Sequence, residues 1–279
     1  MDTASFQRDV DALLPDDYKS FLAAGLGLSD AAREAAFAAH PGLRRYDEAF
    51  DRMFDAIARV RVTDRPAVWL LYNMGLVVKT PETLFAVDLV HRQAARLAPV
   101  LDFALVTHNH GDHADGPLLA AMNAAGKTIV SNFLDNYGAI RGGKSPGGYT
   151  RRAKTFALGD VRIRTGRSDH NSYLVDFTTT FEISVGDWTL YHTGDSSNLD
   201  KLAPRRPPDV WVVHPRCGLD AGAGAAKFRP ALTVIAHLCE LGHARDRWRW
   251  TLADGRAAAR LVRTAGFRAV VPTWGQRIV

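Results

Sequence analysis

The chain has 279 residues, of which 47% are hydrophobic and 23% charged, values typical of a globular protein that buries a sizeable core. Its formal net charge is +5, but the arginines are scattered and no run of five Lys or Arg occurs, which disfavours a nucleic-acid-binding tail. No apolar stretch approaches the roughly 18 residues that span a bilayer, and the first ten residues lack the apolar core of a signal peptide. The sequence therefore predicts a cytoplasmic protein.

The first part of the chain, residues 1–62, is predicted to be a helical N-terminal extension to a single larger domain, residues 63–279. A helix is predicted from about Asp30 to Ala39, ending before Pro41. Further along, apolar side chains recur at helical spacing, at Tyr46, Phe50, Met53, Ile57 and Val60. Because this part holds no chemical motif, we expect it to pack on the rest.

From about Ala67, short apolar strands alternate with helices. Strands are predicted at 68–72, 76–78, 84–87, 103–107, 128–130, 161–165, 181–185, 188–192, 209–213, 231–236 and 269–271. Helices are predicted at 90–97, 118–125, 133–140 and 255–265. Two similar runs of strands and helices predict an α/β (α+β) fold, a four-layer αββα sandwich.

A dense group of potential metal ligands follows the strand that ends at Thr107. His108, His110, Asp112 and His113 lie within six residues, and neutral imidazole and carboxylate groups are natural ligands of zinc and similar ions. Asp112 and His113 are adjacent, so they cannot easily serve the same ion as His108 and His110. The spacing therefore predicts two metal sites side by side.

This H-x-H-x-D-H motif resembles the signature of the metallo-β-lactamase superfamily, which implies the αββα fold and further ligands downstream. The resemblance implies that His170 completes the first site, that Asp195 bridges both metals, and that His237 completes the second site. Asp195 ends the phrase His192-Thr193-Gly194-Asp195, which looks like a strand-end motif of the superfamily. The predicted metal ligands are therefore His108, His110, Asp112, His113, His170, Asp195 and His237.

A narrower resemblance, to the L-ascorbate-6-phosphate lactonase-like branch, rests on residues 187–195 and on the closing segment 271–275, Val-Pro-Thr-Trp-Gly. Many members of that branch have their last histidine ligand where this chain has Trp274. We prefer His237 as its replacement, with His243 as the alternative. Glu240 or His243 would then orient a ligand.

Two other histidines lie at predicted strand ends: His192 is the last residue of strand 188–192, and His214 directly follows strand 209–213. We expect His192 to face away from the metals, whereas His214 could line the pocket.

The resemblance implies two divalent metal ions as cofactors, with zinc preferred and manganese or iron as alternatives. Two such ions can share a water, so the implied reaction is hydrolysis of a small-molecule ester, lactone or phosphoester by a metal-bridging hydroxide. Asp112 and Asp195 would be the catalytic residues. Asp195 stands where several true β-lactamases use Cys, which disfavours antibiotic hydrolysis.

Alternative functions are a nuclease of the same fold and a non-catalytic binding relative. A di-iron redox role is disfavoured, because such relatives replace one motif His with Glu. The expected partner is a small-molecule substrate rather than nucleic acid or a membrane, and a homo-oligomer is compatible with the sequence.

Residues 138–145 satisfy the P-loop pattern G-x-x-x-x-G-K-S. Pro146 follows at once and disfavours the helix whose N-terminus would bind phosphate. We instead expect a loop near the pocket mouth, where Arg141 or Lys144 could meet an anionic substrate.

Overall fold

The computed structural model of the protein describes residues 2–13, 29–131, 154–243 and 248–279. The helix predicted at 133–140 and the P-loop-like segment, with Arg141 and Lys144, lie outside the described residues. The predictions for that part of the chain therefore stay predictions.

The described strands form two sheets. The first sheet contains β1 (Ala67–Tyr72), β2 (Gly75–Lys79), β3 (Leu84–Val87), β4 (Phe103–Leu105), β5 (Thr128–Val130) and β13 (Gln276–Arg277). The second contains β6 (Thr155–Leu158), β7 (Val161–Ser168), β8 (Thr178–Val185), β9 (Trp188–His192), β10 (Val210–Val213), β11 (Leu232–Ile235) and β12 (Ala269–Val270). The spatial orders are β13-β1-β2-β3-β4-β5 and β12-β11-β10-β9-β8-β7-β6.

The described α-helices lie before, between and after these strands along the chain. They are α1 (Thr3–Asp11), α2 (Asp30–Ala39), α3 (Pro41–Arg59), α4 (Gly116–Ala124), α5 (Ala221–Phe228) and α6 (Leu252–Thr264). Short 3-10 turns occupy Ala94–Leu97 and Leu199–Lys201. None of the described helices is long and apolar enough to cross a membrane.

Alternate side chains of each strand face opposite layers. Val68 of β1 lies between the sheets, in one buried cluster with Ile183 of β8. On the outer faces, α3 packs on β1, and the Trp211 ring of β10 meets Phe228 of α5 edge-on at 5.1 Å. Helices therefore cover both sheets, which confirms the predicted αββα sandwich.

Helix α1 is tied to the segment before α6 and to the segment before β13. The buried Arg249 side chain donates hydrogen bonds to the carbonyl oxygens of Val10 (3.2 Å) and Leu13 (2.7 Å). The Phe6 ring lies edge-on to Trp274, with a centroid distance of 4.9 Å. The described part of residues 1–62 thus packs on the remainder of the chain, while a domain boundary at residue 62 stays a prediction.

Two strands, β6 and β13, and the helix α5 were not foreseen in the sequence, and one predicted helix differs in form. β6 is an edge strand of only four residues, and its side chains alternate between exposed and partly buried, so none of them is fully buried. α5 is rich in glycine, and a Cβ on Gly224 would overlap the Trp211 ring. In the predicted helix at 90–97, only Ala94–Leu97 forms a 3-10 turn, with hydrogen bonds between residues three apart.

Candidate metal centre

The predicted ligands all follow the ends of strands. They come after β4 (His108, His110, Asp112, His113), β7 (His170), β9 (Asp195) and β11 (His237). Within the second sheet, β9, β10 and β11 run parallel, and β7 shares the direction of β9 because β8 is antiparallel to both. Their carboxyl ends therefore open at one edge of the sheet, where four loops meet.

Two groups of potential donor atoms form where these loops meet. The first consists of nitrogen atoms of His108, His110 and His170. The second consists of atoms of Asp112, His113, Asp195 and His237. Within each group every pair of donor atoms lies within 4.8 Å. The structure thus brings together all seven residues that the sequence predicts as ligands.

Asp195 lies between the two groups. Its Oδ1 is 3.3 Å from Nε2 of His113, and its Oδ2 is 3.5 Å from Nε2 of His170 and 3.4 Å from Nε2 of His237. Ligands bound at about 2.0–2.1 Å around a tetrahedral ion are roughly 3.3–3.4 Å apart. The spacing of these atoms therefore fits a metal better than direct hydrogen bonds.

Several buried polar atoms in these groups have no hydrogen-bond partner among the described residues. They are Nε2 of His108, Nε2 of His113, Nε2 of His170 and Oδ1 of Asp195. A buried polar atom without a partner costs about 1–3 kcal/mol, so native structures rarely leave several together. Metal ions would satisfy all four, and the donor set of imidazole and carboxylate groups suits zinc, manganese or iron.

Asp88, which directly follows β3, orients two of the predicted ligands. One of its oxygens accepts a hydrogen bond from the backbone N–H of Thr107 (2.7 Å). The other accepts from the Thr107 hydroxyl (2.6 Å) and from Nδ1 of His113 (2.9 Å). Because that hydroxyl donates to Asp88, it accepts from Nδ1 of His108, 3.0 Å away. In their neutral form both imidazoles therefore carry the proton on Nδ1, which leaves the lone pair of Nε2 free to bind a metal ion.

Asn73, in the turn between β1 and β2, links two further predicted ligands. Its side-chain amide nitrogen donates to Oδ2 of Asp112 (3.0 Å), and its backbone carbonyl oxygen accepts from the backbone N–H of His237 (3.0 Å). Asn73 and His237 have φ angles of +53° and +58°. Asn, Asp and His are the non-glycine residues most often found in this left-handed region. Some of the strained backbone among the described residues therefore lies at the centre, as is common at functional sites.

Gly194 sets the position of Asp195. Its φ is +53°, and a Cβ there would lie 2.9 Å from side-chain atoms of both Thr107 and Thr178. Only glycine combines this backbone angle with such a close approach. The turn after β9 thereby delivers Asp195 beside the loop that carries the motif.

The charges of the ion-free centre balance one another. Burial opposes a charged imidazole, but Asp195 and Asp112 outweigh it and raise the pKa of His237 to about 10. Burial likewise opposes ionisation of Asp195, yet His113 and His237 hold the pKa of its carboxyl well below the usual range. A bound divalent cation would replace the positive charge that His113 and His237 carry when they are protonated.

Five of the seven predicted ligands line a cavity of about 890 Å³: His110, Asp112, His170, Asp195 and His237. His214 also lines it, and its ring stacks on His237 at a centroid distance of 3.9 Å and an angle of 8°. Arg216 lies in the same wall, with its guanidinium 4.6 Å from the Trp250 ring centroid. A small molecule that enters this cavity would meet the predicted ligands, the positive charge of Arg216 and the rings of His214 and Trp250.

Other residues considered from the sequence lie outside the donor groups. His192 points away, with Nε2 3.0 Å from the Met74 carbonyl oxygen. Trp274 is buried among Phe6, Tyr46 and Tyr72. His243 lines the cavity but is not in either donor group found among the described residues.

Sequence reasoning missed Asp88, Asn73 and Cys217. Cys217 forms a third potential donor group with His170 and Asp195, although burial raises the pKa of its thiol and so opposes the thiolate that binds metal. The sequence offered one signal for Asp88, which is that it directly follows β3, the strand that pairs with β4 before the motif.

No protein-family model matches the chain. A UPF0173 metal-dependent hydrolase of Heliobacterium modesticaldum is 32% identical over 102 residues, which cover 34% of this chain and 42% of that relative. A second UPF0173 metal-dependent hydrolase, from Carboxydothermus hydrogenoformans, is 28% identical over 165 residues, covering 53% of this chain and 68% of that protein. The alignment with the first relative thus spans less than half of that protein's length.

Solved structures share the architecture. A possible metal-dependent hydrolase of Veillonella parvula aligns with a TM-score of 0.59 and 14% identity, over 76% of this chain and 98% of its own. The metallo-β-lactamase fold protein YhfI of Bacillus subtilis gives 0.56 and 18% over the same shares. CmlA, a diiron β-hydroxylase of Streptomyces venezuelae, aligns over 95% of this chain and 59% of its own, with a TM-score of 0.55 and 15% identity.

At these identities the structural likeness shows the fold and not the reaction. The motif and the curated relatives add sequence evidence that is independent of the fold. Together, the αββα sandwich, the complete H-x-H-x-D-H motif and the similarity to curated metal-dependent hydrolases support a metal-dependent hydrolase with the metallo-β-lactamase fold.

Proposed function

We propose that the protein is a hydrolase that binds two divalent metal ions and cleaves a small-molecule ester, lactone or phosphoester. The observation that carries this proposal is the pair of donor groups with Asp195 between them, beside a cavity of small-molecule size. The names of the curated relatives support the reaction class. The lactone alternative depends on the sequence resemblance alone.

Each proposed ion has its own ligands besides Asp195. For one ion they are His108, His110 and His170, and for the other they are Asp112, His113 and His237. Bound ions would lower the pKa of a water molecule and polarise the electrophilic group of the substrate. Zinc is the preferred metal, since donor atoms of this type at tetrahedral spacing suit it.

The protein's own residues hold these donors in place and shape the space around them. Asp88 and Asn73 fix the orientation of ligands through the hydrogen bonds described above. Asp112 and Asp195, the two carboxylates among the donors, are proposed as the catalytic residues that orient the attacking water. The ring of His214, stacked on His237, forms part of the cavity wall beside these donors.

Metal analysis combined with a substrate panel tests the proposal. The protein, reconstituted separately with zinc, manganese and iron, is assayed on lactones, esters, phosphodiesters and single-stranded RNA. We expect about two ions per chain, consistent with a two-metal site, and hydrolysis of at least one small molecule. His110→Ala should lose an ion and the activity, whereas His40→Ala, at a helix start where the side chain makes no capping bond, should retain both.

Different results would redirect the assignment. Fewer than about one ion per chain with every metal would favour a non-catalytic binding relative over a two-metal enzyme. Cleavage of RNA without cleavage of small phosphodiesters would favour a nuclease. Full activity in His110→Ala would place the reaction elsewhere.

A further inference from the structure

Two titratable side chains in the cavity wall are not among the proposed metal ligands. Glu240 and His243 lie in the loop after β11 and line the same cavity as the donors. The His243 side chain is 33% exposed, whereas the Glu240 side chain is only 3% exposed. The imidazole is therefore the member of this pair that a substrate can reach, with the carboxylate behind it.

Glu240 is held by several donors. Its Oε1 accepts hydrogen bonds from the Tyr72 hydroxyl (2.9 Å) and the backbone N–H of Gly242 (2.7 Å). Its Oε2 lies 2.5 Å from Nδ1 of His243, and its backbone carbonyl accepts from Nε of Arg249 (2.9 Å). With donors already on one oxygen, the carboxylate acts as acceptor for the imidazole as well. The proton of that contact therefore resides on Nδ1 of His243.

The other ring nitrogen of His243 makes no hydrogen bond to any residue that the structure describes, and the ring borders the cavity. The Trp248 ring lies edge-on to it, at a centroid distance of 5.6 Å and an angle of 90°. A histidine that is oriented through Nδ1 by a buried carboxylate and open at Nε2 is the arrangement that moves protons in hydrolytic triads. The metal groups do not use this pair.

We propose that His243 is the general acid of the hydrolytic reaction and that Glu240 is its positioning residue. The inference rests on the proposed function, since it requires a hydrolysable bond in the cavity. It deepens that function by assigning the departure of the leaving group to a residue outside the metal groups.

For an ester, a water oxygen bonds to the carbonyl carbon, and the bond between that carbon and the leaving oxygen breaks. The proton on Nε2 of His243 passes to the leaving oxygen, which departs as an alcohol. The proton released from the attacking water goes to solvent, from which the neutral His243 is protonated again. For a phosphodiester the same proton reaches the oxygen that leaves phosphorus.

The electrostatic surroundings support a protonated His243. The hydrogen bond from Glu240 is the largest influence and raises the pKa of His243, while partial burial opposes it. Among the residues described by the structure, Asp112 raises that pKa further and His237 lowers it. Trp248 carries no charge. Without bound ions, the acid form of His243 therefore persists to a higher pH than that of a free imidazole.

The decisive experiment varies the leaving group. His243→Gln, Glu240→Gln and the control His40→Gln are compared on substrate pairs that share an acyl or phosphoryl group but release either an alkoxide or 4-nitrophenolate. An alkoxide needs a proton to leave, whereas 4-nitrophenolate does not. We expect His243→Gln to slow alkyl substrates by about 100-fold or more and to leave nitrophenyl substrates nearly unchanged. Glu240→Gln should show the same selectivity with a smaller loss.

A second measurement does not depend on turnover. In the zinc-loaded protein, the NMR titration of the His243 ring should move to lower pH in Glu240→Gln, and the alkaline limb of the kcat profile should move with it. Equal losses on both leaving groups, or an unchanged titration, would overturn the general-acid assignment. If the unaltered protein hydrolyses none of the substrates with any metal, the proposed function itself has failed, which is a distinct result.

Discussion

Replacing Asp88 by Asn tests how strongly the metal centre depends on a side chain outside the donor groups. The substitution keeps the shape of the side chain but exchanges an acceptor oxygen for an amide that donates. The Asp88 carboxylate accepts from the Thr107 N–H, the Thr107 hydroxyl and Nδ1 of His113. If the amide nitrogen faces His113, the ring must shift its proton to Nε2, the atom that is proposed to bind metal.

The expected loss follows from these contacts. Removing such an orienting partner costs about 10- to 100-fold in metal affinity, or about 1.4–2.8 kcal/mol. A buried donor left without an acceptor lowers the free energy of unfolding by a further ~1–3 kcal/mol. Because the Thr107 hydroxyl also contacts His108, both ions should be affected.

Competition with a coloured zinc chelator measures both dissociation constants directly. The matched control is Asp102→Asn, since Asp102 accepts a hydrogen bond from the backbone N–H of Leu84 (2.7 Å) at the opposite end of β3. We expect wild-type zinc affinity in the control. Unchanged affinity for both ions in Asp88→Asn would refute the reasoning that this carboxylate sets the imidazole tautomers.

Three further predictions concern pH, the backbone and metal removal. Burial lowers the pKa of His91 from 6.5 to about 3. The contribution of the neutral ring to the free energy of unfolding is therefore fully present above pH 6.5 and is lost as the pH falls towards 3. In urea unfolding, His91→Gln should make the free energy of unfolding depend less steeply on pH in this range. Gly194 and Gly186 both have a positive φ, +53° and +57°, but an added Cβ would meet close neighbours only at Gly194. We therefore expect Gly194→Ala to lower the free energy of unfolding by ~2–5 kcal/mol and Gly186→Ala by ~1–2 kcal/mol, measured by thermal unfolding. Chelation should lower the Tm, because free metal at 1,000 times its Kd adds about 4 kcal/mol.

Each of these has a result that would contradict it. An unchanged pH slope in His91→Gln would mean that another group takes up the proton on unfolding. Equal losses in the two glycine variants would show that the close approach to Thr107 is not felt. The same Tm with and without metal would mean that ions bind the folded and unfolded chains equally, contrary to a preformed site.

The motif after β4 could be predicted from the sequence because its residues are neighbours along the chain. A strand followed by clustered His and Asp needs no tertiary information to be recognised. His170, Asp195 and His237 could be placed only through the resemblance, since β-sheet topology decides which distant loops meet. The structure brings them to the motif because β7, β9 and β11 end at one edge.

The supporting residues were beyond sequence reasoning for a related cause. Asp88 looks like an ordinary turn residue after β3, and its partner Thr107 lies 19 positions later. Parallel pairing of β3 with β4, which sets Val87 opposite Leu105, makes them neighbours. Likewise, nothing local in Asn73 or Glu240 announces their contacts, since these depend on loops that converge from different strands.

The indole of Trp274 has a consequence for engineering this scaffold. Its ring packs against Phe6 and Tyr46 of the amino-terminal helices and against Tyr72 of β1. The segment before β13 therefore helps to hold those helices against the first sheet. Because the Tyr72 hydroxyl also donates to Glu240, this aromatic cluster connects the amino-terminal helices to the wall of the cavity. A designer seeking a smaller enzyme would therefore have to replace the packing around the indole before removing those helices.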